Sequence, residues 1–149
     1  MKTVEFTDPQ SAEHAAQQLA AYARKVGDPL PVLERAREIL ANDEELVFQS
    51  QGGAIGSRWS ALAADTVARK TDDRILVMTG KLLDALTTPS NVHVTAESAT
   101  LAPRGVPYAS YHMSGTKRMP ARPFMGISAE AQNEFLRTLS QYLAVLPPA

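Results

Sequence analysis

The residues best placed for chemistry fall in one acid-free run. From Arg104 to Arg122 the chain carries Arg104, Lys117, Arg118 and Arg122 and no carboxylate. Such a cluster can neutralise phosphates of a nucleic-acid backbone. It can equally form salt bridges to acidic groups elsewhere or on a neighbouring subunit, and a net charge of −1 favours this second reading. Arg122 stands apart because it lies between Pro120 and Pro123, which hold its backbone extended. A stiff loop aims a guanidinium fork at a carboxylate or at backbone carbonyls with little entropy loss, which suits an intra-domain clamp or an assembly contact. Catalysis would need a second group, and the sequence shows none.

The other candidates are weaker. His14, His93 and His112 have no partner at metal-ligand spacing such as i, i+4, so no metal site is expected. The chain has no cysteine, which removes disulfides, thiolate ligands and thiol nucleophiles together. Gln51-Gly52-Gly53-Ala54-Ile55-Gly56 is glycine-rich but lacks the Lys-Ser/Thr of a phosphate loop. No serine sits in a nucleophile elbow. Asp72-Asp73 and Asp43-Glu44-Glu45 resemble paired catalytic acids only by adjacency, and both are read as solvated helix ends. No catalytic residue and no cofactor are expected, and the chain reads as a non-enzyme without a small-molecule substrate.

The elements that must position these residues follow from periodicity. A first helix begins near Asp8 or Ser11, with Asp8 before Pro9 suiting a cap; along it Ala12, Ala15, Ala16, Leu19, Ala23 and Val26 share a face, and Gly27 ends it. This Ala-rich stripe permits close helix contact. A second helix starts near Pro31, buries Val32, Leu33, Ala36, Ile39 and Leu40, and ends at the acidic cluster. Ser50 to Ser57 reads as a mobile loop. A third helix is expected from Ser57 or Arg58 to Lys70, with Trp59 as a core anchor; an exposed binding Trp is the alternative. Thr79 is expected to cap a fourth helix through Leu86, closed by Pro89. Val92 and Val94 alternate with His93 and Thr95 as in a half-buried strand, with Glu97-Ser98 as the turn and Thr100 to Ala102 returning. Ser128 caps a last helix with Phe135, Leu139, Tyr142 and Leu146 on one face, stopped by Pro147-Pro148. The fold class is α+β: several helices packed on a small, mainly antiparallel sheet, with further strands expected at residues 2–6, 46–49 or 104–116.

Between the hairpin and the last helix lies Tyr108 to Ser128, roughly 20 residues, long for a plain connection. Its Tyr108, Tyr111, Phe124 and Met residues argue against disorder, which needs low hydrophobicity. Something must pack on this stretch, either the rest of the domain or a partner. The 149 residues, 44% hydrophobic and 21% charged, suit one globular domain. No apolar run approaches the ~18 residues of a membrane span, and the start lacks a secretory core, so action in the cytoplasm or in an assembly built there is expected.

Four segments, taken in order, resemble a known family. They are Trp59-Ser60-Ala61-Leu62-Ala63 continuing to Thr66; Leu76 to Leu82, including Thr79 and Gly80; Tyr108-Ala109-Ser110-Tyr111-His112 continuing to Gly115-Thr116; and Met119 to Ser128, with Pro120, Arg122, Pro123 and Phe124. Over about residues 46–145 the chain resembles the virion morphogenesis family of tailed bacteriophages, which contains tail-completion and neck (head–tail joining) proteins. The resemblance implies a structural role in a phage or prophage-derived virion, in which a ring, six- or twelve-fold, caps the tail or joins it to the head. It implies phage head–tail or tail proteins as partners, DNA passing through the ring, and a location at the neck or tail end. The residues marked as family motif and assembly contacts are Trp59, Thr79, Gly80, Tyr108, His112, Gly115, Arg118, Pro120, Arg122, Pro123 and Phe124. Residues 1–149 then form a single domain with residues 1–28 as a peripheral helical arm. The competing reading is a small nucleic-acid-binding module using the basic stretch 104–122.

Overall fold

The computed structural model describes residues 17–144, residues 18 and 22 excepted. His14, the strand or arm expected at 2–6, and the helix end beyond Ala144 lie outside the described residues. Helix α1 covers 17–27 and leads through Pro29 into α2 (Leu30–Gln49). Short helices α3 (Ala64–Arg69), α4 (Lys81–Thr87) and α5 (Ala109–Ser114) follow, and α6 (Ala129–Ala144) comes last. Strands β1 (His93–Val94) and β2 (Ala99–Thr100) form one antiparallel pair, in register His93 to Thr100 and Val94 to Ala99. The fold is α+β, as the sequence predicts.

Helix α2 is the hub, packing against α6, α4 and the hairpin. It runs past the acidic cluster at which the sequence reading ended it, so residues 46–49 are helical and not a strand. The buried positions explain this: Val32, Ala36, Ile39, Asp43 and Val47 recur at helical spacing, joined by Glu44 and Phe48. Asp43 and Glu44 belong to the inward stripe and are not a solvated end. Asp43 is held by the Ser128 backbone N–H at 3.0 Å and by the Ser128 hydroxyl. Ser128 in turn caps α6, its Oγ accepting from the Ala131 N–H at 3.1 Å. One buried carboxylate thus pins the start of the last helix to the middle of the hub.

Helix α3 is shorter than its apolar spacing predicts, because residues 57–63 are claimed by other partners. Trp59 N–H donates to Gln51 O at 2.8 Å, and Arg122 takes the carbonyls of Ser60 and Ala61. Carbonyls committed this way cannot serve an i to i+4 ladder. Val67 is 51% exposed. The Ser50–Ser57 stretch is a tight turn and not a loose loop. Gly52 N–H donates to Val47 O at 2.8 Å, and its φ of +82° brings it so close to Trp59 that a Cβ would lie 2.6 Å from the indole nitrogen.

Helix α4 is led by Gly80, whose φ is +81°, and no side chain caps it; Thr79 is exposed and does not serve as the cap. Residues 104–116 contain no strand. They form a turn and then α5, followed by an isolated bridge between Thr116 and Met119. The core gathers around Phe124, Leu82, Leu86, Val47 and Val92, all essentially inaccessible to solvent.

Candidate assembly site

Arg122 is the structural centre of the long segment. Its Nε donates to Ser60 O and a terminal nitrogen to Ala61 O, both at 2.9 Å, while its backbone N–H donates to His112 O at 2.7 Å. The residue therefore links residues 60–61, through its guanidinium, to α5, through its backbone N–H. Buried to 5% exposure, Arg122 acts as a clamp within the chain's own fold. Its neighbours lock the same seam. Trp59 Nε1 donates to Pro123 O at 2.6 Å, and the Phe124 N–H points at Met113 Sδ at 3.3 Å. Phe48 meets Trp59 edge to face with centroids 5.3 Å apart, and Phe124 lies 6.4 Å from Phe48. Trp59 is thus a core anchor.

Gly115 allows the chain to double back beneath this seam. Its φ is +72°, and a Cβ there would lie 2.7 Å from the Ala121 backbone nitrogen. No other residue fits so close an approach without backbone movement.

Above the clamp opens a cleft of about 750 Å³, walled by residues 61–63, 76–82, 108–112 and 118–122. Thr79, Gly80, Tyr108, His112, Arg118, Pro120 and Arg122, separated widely in sequence, all line it. Trp59, Pro123 and Phe124 back it from the core side, and Gly115 shapes the turn, so these four do not line it. The lining is mostly apolar and contains Lys70, Lys81, Arg118 and Arg122 but no carboxylate. Lys70 is occupied, its Nζ donating to Arg74 O at 2.7 Å and to Val77 O. Among the described residues neither Lys81 nor Arg118 forms an ion pair, and both are exposed.

His112 packs edge to face on Tyr108 with centroids 5.9 Å apart. Burial, aided by the Arg122 charge, holds its pKa below the ordinary value, so the ring is neutral at pH 7. Among the described residues its Nδ1 is enclosed without a hydrogen-bond partner, as is Glu44 Oε2 on α2. Burial, reinforced by the adjacent Asp43, raises the Glu44 pKa to about 8. Sequence reasoning missed Glu44; its one signal was the helical spacing from Leu40 and to Phe48. Asp72 is half-buried on its loop, paired with Arg74 at 2.6 Å. Among the described residues no group of three His, Asp or Glu side chains is close enough to hold a metal, and no helix is long and apolar enough to cross a membrane.

The arrangement suits recognition by shape and charge. The chain belongs to the phage virion morphogenesis family, which it matches over residues 8–144 of its 149. The match reaches well before residue 46, where the resemblance read from motifs begins, and takes in α1 and α2. The protein accordingly has a structural role in assembling a phage virion, alongside other virion proteins. No curated protein and no solved structure matches the chain significantly.

Proposed function

We propose that the protein is a ring-forming subunit, six- or twelve-fold, that completes the tail or joins head to tail, with DNA passing through the ring. The observation that carries this reading is the outward face of α1. Leu19 and Val26 are 69% and 67% exposed, Ala23 lies between them, and Leu30 extends the stripe at 42%. An apolar helical stripe of this kind gains from burial against another chain. The cleft lies on a different part of the surface. Two unlike patches are what a closed ring requires, because each subunit meets its neighbours through different faces. The ring's place is the neck or tail end of the virion.

The test is a Leu19→Glu/Val26→Glu variant. Both positions face solvent, so the circular dichroism and melting temperature stay unchanged while the assembled species dissociates. Unchanged assembly would remove α1 from the interface.

A second reading, nucleic-acid binding by the stretch 104–122, draws on the exposure of Arg104, Lys117 and Arg118. Arg122 is unavailable to it, which leaves a weaker patch than the sequence offers. Salt-sensitive retention on heparin would favour this reading, and no retention at low salt would end it.

A further inference from the structure

We infer that the cleft receives an extended apolar and acidic segment, and that this segment is residues 2–9 of a neighbouring copy. The inference deepens the assembly reading above, from which it takes the second copy.

The cleft's chemistry defines its occupant. Its floor is apolar, with the backs of Val77, Leu82 and Met119 contributing, and Met78 stands 73% exposed at its edge. No carboxylate lines it, while Lys81 and Arg118 stand at it exposed and without ion-pair partners among the described residues. A volume of about 750 Å³ is the size of a small-ligand site. It admits a few side chains of an inserted segment, and neither a domain face nor a duplex. Insertion of apolar side chains flanked by carboxylates would bury the floor and pair both cations.

The chain carries such a segment. Lys2-Thr3-Val4-Glu5-Phe6-Thr7-Asp8-Pro9 places Val4 and Phe6 two apart, so they share one side of an extended backbone, with carboxylates at Glu5 and Asp8. Residues 145–149, Val-Leu-Pro-Pro-Ala, offer apolar side chains but no acidic one. Delivery from a neighbour follows from the assembly reading, in which each subunit meets the next through unlike faces.

The experiment uses the full-length protein with p-benzoylphenylalanine substituted for Phe6, mixed with an equal amount of ¹⁵N-labelled chain and irradiated. Mass spectrometry then separates cross-links between copies from those within one. The expected result is mixed-isotope cross-links landing in residues 76–82 or 118–122, with a yield falling roughly tenfold in Lys81→Glu/Arg118→Glu, the effect of losing two rim charge pairs. Both lysine and arginine are exposed, so an unchanged melting temperature separates lost docking from lost folding. Cross-links confined to one chain, landing on other surfaces, or insensitive to the charge reversal would overturn the inference. Light scattering of the same samples keeps the two readings apart: rings without cleft cross-links sink the docked segment alone, whereas monomers without cross-links between copies sink both.

Discussion

Arg122 converts the stiffness of a Pro-flanked loop into a tertiary bond set. It bonds two backbone carbonyls, so Arg122→Ala should lose about 1.5–3 kcal/mol, the range for hydrogen bonds to a charged group. Arg122→Lys should recover little, because an ammonium cannot reproduce the planar fork that reaches Ser60 and Ala61 together. Thermal melts of the two variants check both statements; a wild-type melt for Arg122→Ala would refute the clamp. Glu44 makes an opposite kind of contribution. Its pKa rises from 4.5 to about 8 on folding. Between those values the unfolded chain has released the proton that the folded chain keeps. Stability from this group is therefore full below about pH 4.5 and is lost as pH climbs through about 8. Glu44→Gln should flatten that dependence and be more stable than wild type at pH 8, on the order of a few kcal/mol. Urea midpoints at pH 5 and pH 8 measure it, and parallel shifts in the two proteins would contradict the burial argument.

At the scale of elements, the informative junction is Asp43 with Ser128. Ser128→Ala removes both the α6 cap and a donor to a buried carboxylate, so the loss should exceed the ~1 kcal/mol of an exposed cap. A loss within error of zero by denaturant unfolding would separate the cap from the hub. This junction also explains what was legible. The hairpin, the closure of α4 by Pro89 and the Ser128 cap depend on residues close in sequence, and they read correctly. α2 was cut short because Asp43 and Glu44 look solvent-facing, and only the fold shows both buried, with a partner for Asp43 85 positions away. α3 was drawn too long because nothing local reveals that Arg122 takes the carbonyls of Ser60 and Ala61. Glycines divide the same way. Gly80 signals a helix start, but the need for Gly115 appears only when Ala121 is found 2.7 Å from its missing Cβ. Gly115→Ala should therefore destabilise the fold, read as a lower melting temperature, although the substitution is favourable in most loops.

For the whole molecule, the long segment from Tyr108 to Ser128 divides its work. Ala109, Arg122 and Phe124 pack on the chain's own core, while Tyr111, Lys117, Arg118 and Ile127 stay outward. Seven of the residues named from the sequence motifs line the cleft. Their convergence on one acid-free cleft could not be read from the sequence, since it joins segments with little sequence signal for one another. The apolar stripe of α1 was legible as a stripe, yet only the fold shows that Ala21 turns inward while Leu19 and Val26 remain outside. Lys25 donates to the Tyr142 carbonyl at 2.8 Å and so ties α1 to α6. An outward apolar stripe and a separate cleft are the unlike faces that the proposed ring requires. The most direct test is the light-scattering mass of the full-length protein across a concentration series. The account predicts a species of six or twelve times the 16.1 kDa chain. A mass of one chain at every concentration would contradict it.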